Sequence, residues 1–332
     1  MPLRFSYYPG CSLHSTAIEY GLSTQAVFEA LGVELVELSD WNCCGASSAH
    51  SLNYALSLYL PARNLALAQE RGWDLLTPCA ACFNRIKSAD HALRNDPARR
   101  AEIEEAVGFR YTGQVRVRPP LGVVGREIGL ERIGALVTRP LQGLRVVSYY
   151  GCLLVRPPQV VQFENPEHPQ LMDRLLQTLG AQPLDWSYAT DCCGGSLSLT
   201  RRDLAAHLVG QLVARARETG AQAMVTACPL CQVNLEMRQV TRHHALEERL
   251  VEVEGGVMAR QDGAGEKLSP RPRGTWTGAE LQRGEGFSGE AMPIFYFTEL
   301  MGLAMGLEES RQWWGKHLID PRPLLKYLDL MG

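Results

Sequence analysis

The sequence predicts an α/β protein made of two tandemly duplicated domains, each with a parallel sheet. Three observations support this fold class. Short strand-like runs alternate with longer segments of helical periodicity, one arrangement of cysteines occurs twice, and each cysteine group follows a predicted strand. Alternating strands and helices favour a parallel sheet, and ligands bind at the carboxyl ends of its strands. We therefore expect the cysteines of each half to meet at one sheet edge.

The predicted elements follow the same order in both halves. The predicted strands are residues 4–8, 33–38, 73–76 and 114–117, then 144–149, 223–225 and 294–297. The predicted helices are residues 15–31 and 47–71, then 169–179 and 199–219, and a further helix is expected to begin at Cys79 and Cys82. A glycine follows each of the four bounded helices, as is common at helix C-termini.

These elements divide the chain into residues 1–135 and 144–332. The boundary falls near residues 131–143, after the fourth strand of the first half. About residues 255–290 are rich in glycine, proline and charge, which predicts a long surface insertion in the second domain. A plain loop is the simpler interpretation of this insertion, and a substrate lid is the alternative.

Composition and length limit the possible functions. The chain has 332 residues, of which 45% are hydrophobic and 21% charged, and its formal net charge is −3. This is the composition of a folded protein, and its charge offers no basis for binding nucleic acid. The N-terminal segment has no apolar run of signal-peptide length, and no stretch approaches the roughly 20 apolar residues of a membrane helix. We expect a cytoplasmic protein with no direct membrane span, whose thiols stay reduced.

The cysteines form two sets of five with the same order. Each set has a single cysteine, an adjacent pair followed by glycine, and a CxxC motif. The first set is Cys11, Cys43, Cys44, Cys79 and Cys82, and the second is Cys152, Cys192, Cys193, Cys228 and Cys231. The adjacent pair and the CxxC motif are 35 positions apart in both sets, and Ser-Tyr-Tyr precedes the first cysteine in each. With no cysteine left over, the pattern indicates a tandem duplication.

Five thiols per set favour an iron–sulfur cluster. Thiolates suit zinc, copper(I) and iron–sulfur clusters, and a structural zinc or a cubane cluster takes only four ligands. Two adjacent thiolates suit a larger cluster in which each binds a different iron. Zinc in one or both sites remains the alternative. The compact cysteine run of ferredoxins is absent from the sequence, so electrons must be exchanged with another subunit.

The cysteine pattern resembles that of the heterodisulfide reductase B subunits, a family with two cysteine-rich CCG domains. Cys43-Cys44-Gly45 and Cys192-Cys193-Gly194 match the motif for which these domains are named. The resemblance implies that all ten cysteines are cluster ligands, and that each set binds a noncubane 4Fe–4S cluster. It also implies a ferredoxin-like iron–sulfur subunit and a flavoprotein subunit as partners in the same complex.

Three functions remain open from the sequence. The first is a disulfide oxidoreductase subunit that reduces a small thiol disulfide, of the coenzyme M–coenzyme B type, to two thiols by one-electron steps. The second is an electron-transfer or anchor subunit of a succinate- or lactate-type dehydrogenase that passes electrons towards quinone. The third is a zinc-binding structural module.

Disulfide reduction also requires a proton donor. His14, three positions after Cys11, is the candidate catalytic residue, and His50 is a second candidate. An ordinary surface or capping histidine is the alternative interpretation of both.

Overall fold

The computed structural model of the protein describes residues 3–46, 52–240 and 291–331. Two four-stranded sheets are present, with strand orders β2-β1-β3-β4 and β6-β5-β7-β8. All neighbouring strands are parallel. The predicted α/β class with two duplicated parallel sheets is therefore confirmed. The predicted insertion at about 255–290 lies outside the described residues.

The strands lie close to their predicted positions. In the first sheet they are β1 (Leu3–Tyr7), β2 (Val33–Glu37), β3 (Leu75–Leu76) and β4 (Val117–Arg118). In the second they are β5 (Arg145–Tyr149), β6 (Gln182–Pro183), β7 (Ala223–Thr226) and β8 (Ile294–Tyr296). The sequence did not predict β6, a two-residue edge strand that contains a proline and therefore carries little strand signal.

The helices cover the sheets and connect their strands. In the first half they are α1 (Gly10–Leu13), α2 (Ile18–Ala30), α3 (Leu56–Arg71), α4 (Ala80–Asn95), α5 (Pro97–Val107), α6 (Pro120–Gly122) and α7 (Leu130–Gly134), with a π-helix at Val123–Gly129. In the second half they are α8 (Pro158–Val161), α9 (Leu171–Thr178), α10 (Arg202–Glu218), α11 (residues 229–240), α12 (Phe297–Ala304) and α13 (Arg322–Tyr327), with short 3-10 helices at Gly195–Leu197, Glu308–Gln312 and Trp314–Lys316.

Two helices of the first half differ from the prediction. Residues 47–51 lie outside the described residues, and α3 begins only at Leu56. The sequence did not predict α5. Its N-terminus nevertheless carries ordinary signals, because Asp96 caps the backbone amides of Ala98 and Arg99 and Pro97 occupies the first turn.

The two halves pack against each other through several pairs of helices. Helix α2 of the first half packs against α12 of the second, and α4 packs against α8. The terminal helices of the first half, α6 and α7, pack against α9. Residues 136–143 connect α7 to β5, and the domain boundaries in this connection stay a prediction. Among the described residues, no helix combines the length and apolar character needed to cross a membrane.

Candidate cluster-binding sites

The order of the strands gathers each cysteine set. In the first sheet β1 lies between β2 and β3, and the carboxyl ends of all three strands share one edge. Cys11 follows β1, the adjacent pair follows β2, and Cys79 follows β3 as the N-cap of α4. The second sheet repeats this arrangement around β5. The observed strand order thus explains why sequence positions 32 to 40 apart form one site.

The thiols of the first set contact one another. Cys44 Sγ lies 3.2 Å from Cys82 Sγ. A hydrogen bond with Cys43 raises the pKa of the Cys11 thiol, and the same interaction lowers the pKa of Cys43. The backbone amide of Gly45 donates to Cys43 Sγ at 3.4 Å, which further favours a thiolate there. The first set is therefore a connected group of thiols with one favoured thiolate.

The second set has the same contacts. Cys193 Sγ lies 3.7 Å from Cys231 Sγ, and the amide of Gly194 donates to Cys192 Sγ at 3.3 Å. A hydrogen bond with Cys152 lowers the pKa of Cys192 to about 6, and this interaction raises the pKa of Cys152. The duplicated cysteine motifs therefore repeat the same thiol contacts and the same directions of pKa shift.

All ten cysteines are free thiols, and each set has an outer and an inner side. Cys11, Cys43 and Cys192 are exposed, and Cys152 is partly buried. The six remaining cysteines, including both CxxC motifs, are buried. The outer side faces solvent, while the CxxC motifs face the interface between the halves.

A glycine before the first cysteine makes room for each set. Gly10 and Gly151 adopt φ values of +68° and +64°. A Cβ atom at Gly10 would lie 3.2 Å from Cys82 Sγ, and one at Gly151 would lie 2.9 Å from Cys231 Sγ. A side chain at either position would therefore press on a candidate ligand, in addition to the strain of a left-handed backbone.

The CxxC motifs of the two sets meet across the interface. The Cys79 and Cys228 thiols form a hydrogen bond, which raises the pKa of Cys79 and helps to lower that of Cys228. Beside them, the Tyr20 hydroxyl donates to Pro78 O at 3.4 Å and to Ala227 O at 3.3 Å, one carbonyl from each half. These carbonyls immediately precede Cys79 and Cys228, so one tyrosine connects both motifs.

Two tyrosines hold the loops that carry the adjacent cysteine pairs. Tyr8 donates to Asn42 O at 2.9 Å, and Tyr149 donates to Asp191 O at 2.7 Å. Each acceptor immediately precedes a Cys-Cys pair. Tyr8 therefore corresponds to Tyr149, whereas the matching Ser-Tyr-Tyr tripeptides pair Tyr8 with Tyr150. The structural match is thus shifted by one residue from the tripeptide match. The reason is that Pro9 separates the first tripeptide from its glycine, and the second half has no residue in that position.

Of the two histidine candidates, only His14 lies in the described part of the structure. His14 is half exposed, and its Nε2 lies 3.2 Å from Glu37 Oε1. Its ring stacks on Trp41 with centroids 5.6 Å apart. These contacts place His14 in a surface pair beside the first set, and its role as a proton donor stays a prediction. His50 lies outside the described residues.

The residues present fit an iron–sulfur group. Each set supplies five soft sulfur donors, a glycine that leaves space beside them, and an amide directed at one sulfur. Within the described part of the chain, no three His, Cys, Asp or Glu side chains are arranged to hold a single metal ion.

Sequence reasoning missed the residues between the sites. Tyr20 and Ala227 are 207 positions apart, and no local pattern connects them. The Gly-Cys pairs at residues 10–11 and 151–152 were visible in both halves, and this repeated dipeptide was the available signal for the two glycines.

Comparison with known proteins agrees with this geometry. Residues 5–87 and 146–236 match the family described as CCG, cysteine-rich domain. The chain is 32% identical to the 8-methylmenaquinol:fumarate reductase membrane anchor subunit of Wolinella succinogenes, over 98% of this chain and 100% of that protein. It is 28% identical to the B subunit of the ferredoxin/F(420)H(2)-dependent CoB-CoM heterodisulfide reductase of Methanosarcina acetivorans, over 71% of this chain and 81% of that protein.

A solved structure also shares the fold. The crystal structure of a hypothetical protein from Helicobacter pylori superposes with a TM-score of 0.62 at 11% sequence identity. The match covers 96% of this chain and 52% of that one, so this chain spans about half of its length. At this identity the similarity supports the fold alone.

Proposed function

Because this chain belongs to the family of CCG cysteine-rich domain proteins that includes the heterodisulfide reductase B subunits, we propose that it is an iron–sulfur subunit carrying electrons between a quinol and a fumarate- or succinate-converting enzyme. The family assignment makes it an iron–sulfur subunit of an oxidoreductase. The electron donor and acceptor are the proposed part. This role is related to the second of the three functions left open by the sequence, in which electrons pass from a succinate- or lactate-type dehydrogenase towards quinone.

One observation carries the proposal. The similarity to the anchor subunit of 8-methylmenaquinol:fumarate reductase extends over essentially the whole of both chains. The similarity to the heterodisulfide reductase protein covers a smaller part of this chain. A match along the full length extends beyond the cysteine motifs to the rest of the chain.

The interface between the cysteine sets supports electron transfer. Cys79 and Cys228 are in contact, and Tyr20 stacks on Tyr296 with centroids 4.2 Å apart. The two cysteine sets thus lie next to each other at the interface between the halves. In this interpretation Tyr20 fixes the separation of the two sites, and the buried CxxC motifs keep water from the path between them.

In this function the cysteines and glycines of the two sites have different roles. The ten cysteines hold two noncubane 4Fe–4S clusters, which supply one-electron transfer when bound. Gly10 and Gly151 leave space beside the sulfurs, and the amides of Gly45 and Gly194 stabilise thiolate character at Cys43 and Cys192. The exposed Cys11, Cys43 and Cys192 mark the faces at which electrons enter or leave.

The proposal extends to partners and location. A flavoprotein subunit and a ferredoxin-like iron–sulfur subunit complete the complex at the cytoplasmic face of the membrane. The chain is attached to the membrane through partner subunits or through its own surface, and not through a membrane-spanning segment.

Disulfide reduction is the second candidate. It is favoured by the completeness of both cysteine sets and by the similarity to a heterodisulfide reductase protein.

The two candidates are separated by reconstitution. The complex is purified anaerobically with and without this chain, and fumarate reduction by a menaquinol analogue is compared with reduction of a thiol disulfide by an artificial donor. We expect quinol-dependent activity only when the chain is present. Disulfide reduction without quinol-dependent activity would favour the second candidate, and a colourless zinc-loaded chain would contradict both.

A further inference from the structure

Four titratable side chains are buried together away from the thiols. They are Glu19 on α2, Glu236 on α11, Glu299 on α12 and His317 in the C-terminal segment. The three glutamates are at most 2% exposed, and the His317 side chain is fully buried. Helices α2 and α12 belong to different halves and pack against each other, so the group lies at the interface. Buried ionisable groups without a structural need are candidates for function.

Three of these side chains form a closed triad. His317 Nδ1 lies 2.9 Å from Glu236 Oε1, and His317 Nε2 lies 2.9 Å from Glu299 Oε1. Both ring nitrogens therefore donate, which makes the ring an imidazolium. Burial opposes this charge, but the two carboxylates outweigh it and raise the pKa of His317 to about 11. His317 therefore keeps its proton at neutral pH, between two buried carboxyl groups.

The remaining carboxylate oxygens of the triad are also fixed. Glu236 Oε2 accepts from the amide of Leu318 at 2.8 Å, and Glu299 Oε2 accepts from the amide of Tyr296 at 2.9 Å. Every carboxylate oxygen and both ring nitrogens of the triad are therefore held by a polar contact.

Glu19 is the adjustable member of the group. Burial raises the pKa of the Glu19 carboxyl group to about 7. The backbone amide of Glu19 and the side chain of His317 oppose this increase, whereas Glu299 and Glu236 add to it. The Tyr296 phenol also lies within electrostatic range of Glu19. Helix α2 also packs against α1, whose titratable residue is the exposed Cys11. It further packs against β2 and the two C-terminal 3-10 helices, whose charged side chains are all exposed: Glu34, Glu37, Glu308, Glu309, Arg311 and Lys316. Glu19 thus differs from the exposed carboxylates around α2, because its burial holds the pKa of its carboxyl group near neutrality.

A chain of contacts leads from the triad to the second cysteine set. Gln232, which directly follows Cys231, has its Nε2 3.3 Å from His317 Nδ1 and accepts from the Tyr296 hydroxyl at 3.2 Å. Tyr296 stacks on Tyr20, whose hydroxyl reaches Ala227 O beside Cys228. The buried charges and the candidate ligands are therefore parts of one packed unit.

We propose that Glu19 is a buried proton-binding site that takes up one proton when the second cysteine site gains one electron, and releases it on reoxidation. The electron comes from the redox partner and the proton from solvent. The only bond formed is the O–H bond of the Glu19 carboxylic acid. The physical reason is that added negative charge in a low-dielectric interior raises the affinity of a buried carboxylate such as Glu19 for a proton. This inference depends on the iron–sulfur part of the proposed function, and not on the identity of the quinol.

The test compares Glu19→Gln with Glu102→Gln, an exposed glutamate on α5. The anaerobically loaded full-length chain is titrated at several pH values, and infrared difference spectra are recorded between its reduced and oxidised forms. In the wild type and in Glu102→Gln, one reduction potential should fall as pH rises through neutrality, and a carboxylic-acid band should appear on reduction. Glu19→Gln should lose both signals.

Retention of the pH dependence and the band in Glu19→Gln would overturn the proposal. Glu19→Asp keeps a carboxyl group, so its pH dependence should persist with a shifted midpoint. An unchanged midpoint in Glu19→Asp would also overturn the proposal if Glu19→Gln does not fold. A wild-type chain with these signals and without quinol-linked activity would refute the proposed function and leave the proton site intact.

Discussion

The Cys79 and Cys228 thiols contact each other across the interface between the two halves of the chain. Each belongs to the CxxC motif of a different set, and each lies at the carboxyl end of the third strand of its half. The contact brings two sites, separated by 149 positions in the sequence, into direct communication. The two cysteine sets are therefore neighbours at the interface.

Gly10→Ala and Gly151→Ala should each impair the cysteine set beside the glycine. The added Cβ would lie 3.2 Å from Cys82 Sγ or 2.9 Å from Cys231 Sγ. We expect each variant to lose about half of the bound iron, because one cluster site is disturbed and the other is not. Iron and sulfide analysis after anaerobic loading measures this loss.

Gly72→Ala is the matched control for the glycine variants. Gly72 has φ of +77° and no heavy atom within 4 Å of the added Cβ. The Gly72→Ala variant therefore incurs the same backbone strain, about 1–2 kcal/mol, without touching a thiol. Equal iron loss in Gly72→Ala would show that strain alone, and not contact with the sulfur, causes the effect.

Cys193→Ser should abolish the second cluster and leave the first. Cys193 is buried and contacts Cys231 within its own set. The loaded variant should contain about four iron atoms in place of about eight, since each cluster holds four. Cys44→Ser is the corresponding change in the first set, and the spectra of the two variants should together account for the wild-type spectrum. Complete iron loss in either variant would contradict independent sites.

Tyr20→Phe should alter the interaction between the clusters more than the clusters themselves. The hydroxyl that connects Pro78 O to Ala227 O is removed, and the aromatic stack on Tyr296 is kept. We expect a loss of stability of about 1 kcal/mol and a changed magnetic coupling between the reduced clusters, with iron content unchanged. Tyr327→Phe, which changes an exposed tyrosine, should leave the coupling unaffected. Identical spectra for the two variants would refute this role of Tyr20.

His317→Gln should destabilise the fold and remove a pH dependence. The change leaves Glu236 and Glu299 buried without their shared cation, at a cost of about 3–5 kcal/mol. The pKa of His317 is raised from 6.5 to about 11, because its carboxylate partners outweigh the opposing effect of burial. Its contribution to stability is therefore complete below pH 6.5 and is lost as pH rises towards 11.

Denaturant unfolding at a series of pH values measures the His317 effect. The wild type should lose stability over this range more steeply than His317→Gln. His207→Gln, on the exposed face of α10, should follow the wild type. Parallel pH profiles for the wild type and His317→Gln would contradict the imidazolium assignment.

The sequence predicted the parts of the structure that the duplication repeats. Cysteines placed after strands indicated both sites, because a parallel sheet brings its carboxyl ends to one edge. The fold class was confirmed, and seven of the eight strands in the described part of the chain lie close to their predicted positions. The predictions failed where the local signal was weak, as at β6, which has two residues and a proline.

The interface could not be predicted from the sequence. Glu19, Glu236, Glu299 and His317 come from four separate segments, and only the packing of the halves brings them together. An isolated glutamate on a helix ordinarily indicates a solvated surface, so none of the three signals its burial. The role of Tyr20 was hidden for the same reason.

The central claim is that this chain transfers electrons from a quinol. The most direct measurement mixes the oxidised, cluster-loaded complex anaerobically with a menaquinol analogue and follows the clusters by electron paramagnetic resonance. We predict that the quinol reduces the clusters and that fumarate then reoxidises them. Clusters that stay oxidised with quinol, but are reoxidised by a thiol disulfide after chemical reduction, would contradict this claim.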